Sequence, residues 1–168
     1  MLYRIPTRGL IGFRSEFMTE TKGMGTMSYI FDGYDRYAGE MRNRNNGGLV
    51  VMEECITVAY ALFNLQERGQ LFLGPGEKVY GGQIIGEHSR ENDIVINPGK
   101  GKKLTNMRAA GSDDAVILTP FRKMSLEDCI SYINEDELVE ITPRSIRLRK
   151  TILDVTQRKR AKIADAKA

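Results

Sequence analysis

The chain has 168 residues, 41% hydrophobic and 28% charged, with no Trp and a formal net charge of +3. This length suits one domain or a small pair, and the apolar content excludes wholesale disorder. No run of about 18 apolar residues is present, which excludes a helical membrane span, and "MLYRIPTRGLIGFRSEF" puts an Arg and a Pro where a secretory signal needs unbroken apolar residues, so a cytoplasmic chain with no membrane partner is expected.

In chain order, "LYRI" (2–5) predicts a short strand stopped by Pro6. Residues 7–22 follow as a helix with Leu10, Ile11, Phe13, Phe17 and Met18 on its apolar side and Gly23 as its left-handed stop. Gly9 and Gly12 each cost that helix about 1 kcal/mol relative to Ala, which implies that a strand or another chain packs closely against its first turn. "MGTMSYIFDGY" (24–34) alternates as a strand. This strand–helix–strand unit is too small to bury both faces of its own sheet. "EMRNRNNGG" (40–48) reads as a linker.

Beyond the linker, "LVVMEECI" (49–56) predicts a strand, and Thr57 caps a helix that runs to Arg68 and closes at Gly69. "QLFLGPGEKVYGGQIIGEHS" (70–89) gives short strands punctuated by Gly-Pro-Gly and Gly-Gly. "DIVIN" (93–97) and "AVILTP" (115–120) are further strands. Ser125 and Asp128 have capping-box spacing before a helix with Leu126, Cys129, Ile130 and Ile133 on its buried stripe. "ELVEITPRSIRLRK" (137–150) forms two strands around a Thr-Pro turn, and the tail from Asp154 is a basic, fraying helix.

Catalytic signatures fail one by one. A phosphate loop needs Gly, four residues, then Gly-Lys-Ser/Thr; before Gly101-Lys102 the first position is Ile96, and Lys103 replaces the hydroxyl. The dinucleotide pattern fails at Val79 of "GPGEKV". His88 is the only His and follows Glu87, so it reads as a strand-end imidazole satisfied by a carboxylate. Glu53 and Glu54 are adjacent on a predicted strand and point to opposite faces. Cys55 and Cys129 lack metal spacing and read as buried free thiols. No catalytic residue, metal or small-molecule substrate is therefore expected.

Positive charge, by contrast, is bunched. Lys100, Lys102, Lys103 and Arg108 fall in "NPGKGKKLTNMRAAGSDDA" (97–115), a stretch without helical or strand periodicity. Arg144, Arg147, Arg149 and Lys150 form a second group around "SIRLRK", where alternation sets Arg147 and Arg149 against Ile146 and Leu148. Lys and Arg gain affinity for phosphate backbones by counterion release, and Thr105 and Asn106 can add hydrogen bonds to sugar and phosphate. Nucleic-acid binding is the reading these residues favour, RNA over DNA because no recognition-helix motif appears. The alternatives are a solvated loop, and a protein-docking module that uses the loop on an acidic partner.

Several long strings also carry a family likeness: "RIPTRGLIGFRSEFMTETKGMGTM", "ALFNLQERGQLFLGPGEKVYGGQIIGEHSRENDIVIN", "KKLTNMRAAGSDDA" and "EDELVEITPRSIRLRK". Together they resemble the C-terminal part of the BipA/TypA translational GTPases, in order, from about residue 2 to about 153. The first segment also resembles the end of elongation factor G domain V, with Phe13-Arg14-Ser15 and Thr21-Lys22-Gly23 in the corresponding places. The resemblance implies an α+β chain: a partial ferredoxin-like strand–helix–strand unit (1–42), a β-rich family-specific domain (48–150) with two or three short helices, and a basic tail (151–168). It implies contact with large-subunit rRNA and the acceptor end of A-site tRNA through the long loop, hence through Lys100, Lys102, Lys103, Asn106 and Arg108. Members are linked to stress adaptation and ribosome assembly. GTP and magnesium belong, on this resemblance, to an N-terminal G domain that is absent from this chain.

Overall fold

The computed structural model describes residues 1–39, 44–101 and 117–165. It is an α+β molecule built on a mixed sheet of six strands. The interior strand β1 (Gly48–Val51) is buried along its whole length, as its unbroken apolar run requires of a strand covered on both faces. It pairs antiparallel with β5 (Gln83–His88) and parallel with β6 (Ile94–Ile96). The other edge of β5 is shared by β3 (Gly69–Leu71) and β8 (Ile146–Lys150), and β8 pairs with the edge strand β7 (Glu137–Ile141). A two-stranded ribbon of β2 (Cys55–Ile56) and β4 (Lys78–Val79) stands apart.

Alternation along the strands builds two cores. Leu49, Val51, Ile85 and Ile96 point to one face, where Leu62 and Leu65 of helix α2 (Ala59–Gln66) join Leu71, Leu73 and Val79. Val50, Ile84 and Leu148 point to the other and meet Cys129 and Tyr132 of helix α3 (Leu126–Tyr132), with Phe72 edge-on to Tyr132 at 5.2 Å. The expected capping box starts α3: Ser125 Oγ accepts from the Asp128 amide at 3.1 Å, and the Asp128 carboxylate accepts from the Ser125 amide at 3.0 Å. The Ser125 hydroxyl bonded to Asp128 holds that carboxyl below the usual carboxylate range.

Several expected elements take a different form. No strand forms at 2–5 or 24–34, because a strand acquires its ladder only beside another strand, and none of the described strands runs beside them. Tyr29, Ile30 and Phe31 consequently stay exposed. The helix expected over 7–22 divides into a single 3-10 turn (Thr7–Leu10) and α1 (Phe13–Glu20). Gly12 breaks it with φ at +76°, and a Cβ there would fall 2.3 Å from Ser131 Cβ of α3. The close neighbour is thus helix α3 of the same chain, and not the strand or second chain that the glycines suggested.

The strand expected over 49–56 divides at Met52–Glu54 into β1 and β2. Glu53 accordingly leaves the strand and accepts from Asn97 Nδ2 at 2.7 Å. Thr57 does not cap α2: its buried hydroxyl donates to the Gly74 carbonyl at 2.9 Å and accepts from the Glu77 amide at 3.0 Å. Residues 117–120 form no strand, since the Thr119 amide and hydroxyl both donate to Gln66 Oε1 at 3.1 Å. His88 is satisfied by the Asn92 carbonyl at 2.6 Å and not by Glu87. Cys129 is buried but Cys55 is only partly so, and burial pushes both thiols up from their ordinary pKa.

Truncating fully buried Leu62 to Ala should cost about 2–5 kcal/mol in denaturant titration. Ser125→Ala, which removes one cap, should cost only about 1 kcal/mol in the same assay.

Candidate nucleic-acid interface

The second positive group lies on one hairpin. Arg144 is exposed in the turn between β7 and β8, and Arg147 and Arg149 are half-exposed on β8. Cross-strand register sets Arg149 opposite Gln83 and Leu138, and Arg147 opposite Glu140, on the face away from Leu148. The Thr142 hydroxyl accepts from the Ser145 amide at 3.0 Å and fixes the turn. Arg147 Nη1 lies 3.5 Å from Glu140 Oε1, and the other carboxylate oxygen accepts from Tyr80 Oη at 2.6 Å. Burial, followed by the Glu140 hydrogen bond and charge, pushes the Tyr80 phenol up to about 12. A single carboxylate therefore leaves the arginine face with an excess of positive charge.

Lys150 departs from the expectation. Alternation turns it to the opposite face from Arg149, where it is only 2% exposed. Its ammonium lies 2.7 Å from Asp93, 2.9 Å from Asp136 and 2.8 Å from Glu137. Burial opposes this charge, but the hydrogen bonds that the ammonium donates to Asp93 and Glu137 outweigh it and raise the Lys150 pKa. Glu137, with a fully buried side chain, also meets Arg44 Nη2 at 2.5 Å. Arg44 in turn stacks on the Tyr132 ring, 3.8 Å from its centroid. Lys150 thus ties β8 to β7 and to the approach to β6, and it is not displayed to a phosphate surface.

The first positive group is only partly within the described residues. Lys100 is exposed, three positions beyond Asn97, whose Oδ1 accepts from the Gly99 amide at 3.0 Å. Lys102, Lys103, Thr105, Asn106 and Arg108 lie outside the described residues. Lys100 follows β6, and β8 stands three strand spacings away, roughly 14 Å of sheet. Lys100 and the β8 arginines thus lie toward opposite halves of the sheet. In the basic tail, α4 (Val155–Asp165) exposes Lys159 and Arg160, while Arg158 Nη1 turns inward to donate to the carbonyls of Ile152 and Leu153 at 2.8 and 2.7 Å.

Sequence reasoning missed the partners on which this arrangement rests. Arg44 and Asn46 come from the segment read as a linker, yet Asn46 Nδ2 donates to Glu87 at 2.8 Å and Arg44 is buried. No local pattern announces a pairing across 93 positions. The "PFRK" string, an aromatic beside two cations, was a signal open to reading. Among the described residues, no group of three or more His, Cys, Asp or Glu is placed to hold a metal, and no helix is long and apolar enough to cross a membrane.

Comparison with known proteins covers residues 1–155 of the chain with two family models. A family model described as the TypA/BipA C-terminal domain matches residues 46–155, and one described as the elongation factor G C-terminus matches residues 1–45. A protein named large ribosomal subunit assembly factor BipA from Salmonella typhimurium is 58% identical over 160 residues. Its namesakes from Buchnera aphidicola and Escherichia coli K12 are 55% and 56% identical over the same length. Each match covers 95% of this chain and 26% of the relative, so the chain spans about a quarter of the length of these curated relatives.

Lys150→Ala should destabilise the chain by about 3–5 kcal/mol, because it strands buried Glu137 beside a lost partner. Arg147→Ala and Arg149→Ala should each stay within about 0.5 kcal/mol. The folded-state pKa values of Lys150 and Tyr80 are both raised. Stability should therefore hold below the unfolded values and fall as pH rises from about 10 toward 12, and Lys150→Met should blunt that fall in a pH series of thermal melts.

Proposed function

The chain belongs to the TypA/BipA family, and from that membership we propose that it is the ribosome-binding C-terminal portion of a translational GTPase acting in large-subunit assembly. The observation that carries this reading is the collinear identity of 54–58% across 95% of the chain with proteins named as large ribosomal subunit assembly factors. Its partners are large-subunit rRNA and the acceptor end of a tRNA. Its contacts are Lys100, Lys102, Lys103, Thr105, Asn106 and Arg108 in the one stretch, and Arg144, Arg147 and Arg149 in the other. GTP hydrolysis with magnesium belongs to a G domain outside this sequence, and the chain itself performs no chemistry. A cytoplasmic location follows from the ribosomal partner.

The physics supports a backbone-reading surface. Arg147 and Arg149 project from a strand in a fixed array, the geometry that suits phosphate contacts without base readout. Their half-burial lets the aliphatic stems pack while the guanidinium groups stay wet. Separation of Lys100 from the β8 arginines across the sheet suits an extended RNA surface more than a compact anion.

Binding of the chain to ribosomes or structured RNA should weaken linearly in a log–log plot against salt, with a slope near −0.7 to −0.9 per phosphate contacted. Reversal of Lys100, Lys102 and Lys103 to Glu should reduce that slope by about two to three without lowering the melting temperature. A flat salt response would instead indicate docking on a protein.

A further inference from the structure

An apolar cavity of about 250 Å³ opens between α2, β3 and the segment 118–121, lined by Leu62, Leu71, Leu73, Pro75, Pro120 and Phe121. Its size falls below the roughly 300–1,000 Å³ of pockets for drug-sized ligands, which suits one flat ring and not a helix or strand. Phe121 forms part of the wall yet remains 47% exposed. Its ring edge rests on Gly74, where a Cβ would stand 3.1 Å from the ring. The wall is held from behind: Thr119 donates twice to Gln66, and the Arg122 amide donates to the Leu71 carbonyl at 2.9 Å.

Two cations adjoin this wall directly in sequence. Arg122 is substantially exposed, its guanidinium only loosely paired with Asp128 at 3.8 Å, and Lys123 is exposed. An exposed aromatic in an apolar pocket, followed by two cations, matches what an unstacked base and its adjoining phosphates require. An apolar peptide would fill the cavity as well, but it would leave these charges without partners.

We propose that the pocket beside Phe121 receives one unstacked nucleobase of RNA, with Arg122 and Lys123 on the neighbouring phosphates. The site rests on the ribosome-binding reading and adds base stacking to a surface otherwise built for backbone contact. Because every base has a π-face, the pocket tolerates sequence variation and selects for a single-stranded loop or end.

The test compares the whole chain's affinity for a twelve-nucleotide oligoadenylate with that for an abasic ribose–phosphate chain of equal length. The native chain should prefer the oligoadenylate by roughly tenfold, the scale of one base–aromatic stack. Phe121→Leu, which keeps apolar volume, should bring that ratio near one with little change in melting temperature; Phe121→Trp should preserve it. Arg122→Gln and Lys123→Gln should weaken both polymers equally and reduce the salt slope by about one each. An unchanged ratio in Phe121→Leu, with both polymers still bound, overturns the pocket and leaves the basic surface standing. Failure to bind either polymer in dilute salt overturns both.

Discussion

The fold turns on one buried carboxylate. Glu137 has no exposed side-chain surface, and an ionised carboxylate in that position is tolerable only with cations in contact. Lys150 supplies one from the neighbouring strand, and Arg44 supplies the other from a point far upstream in sequence. Asp93 and Asp136 then share the Lys150 ammonium, and Asp93 also accepts from the Gly48 amide at the start of β1. One polar cluster thus joins the entry to the sheet, an edge strand and the β7–β8 hairpin. Hydrophobic packing supplies much of the stability, but this cluster fixes which segments come together.

That constraint also explains how the surface is sorted. On β8 the side chains alternate between the cluster and the solvent-facing arginines, so one strand serves both folding and display. Lys150 and Arg149 are sequence neighbours of like charge with opposite fates. What separates them is the period of two in a strand, together with three carboxylates waiting on one face.

Much of the regular structure was legible from short-range patterns. The capping box of Ser125 and the β7–β8 hairpin rest on neighbours within a few residues and formed as read, whereas the strands on either side of Gly81-Gly82 make no hairpin: β4 pairs with β2, and β5 with β1, β3 and β8. The failures share the opposite character. Thr57 has the chemistry of a cap, but its hydroxyl is claimed by Gly74 and Glu77, about twenty positions away. The apolar stretches at 2–5 and 24–34 have strand composition without a described strand beside them. In the candidate interface, alternation located Arg147 and Arg149 correctly on the outward face, while the burial of Lys150 depended on acids from β7 and from the approach to β6. Charge in sequence indicates potential contact; partners in space decide whether it remains available.

The parallel pairing of β1 with β6 bears on how the chain is made. β1 lies inside the sheet between β6 and β5, yet both of these flanking strands are more than thirty residues downstream of it. During synthesis its two bare edges and apolar side chains must wait through the whole of α2 and the β2–β4 ribbon before either flank arrives. Such long-separation closure is slow compared with hairpin formation. Sensitivity to pausing between β1 and β6 is the expected biosynthetic consequence of placing an interior strand ahead of both its neighbours in the chain.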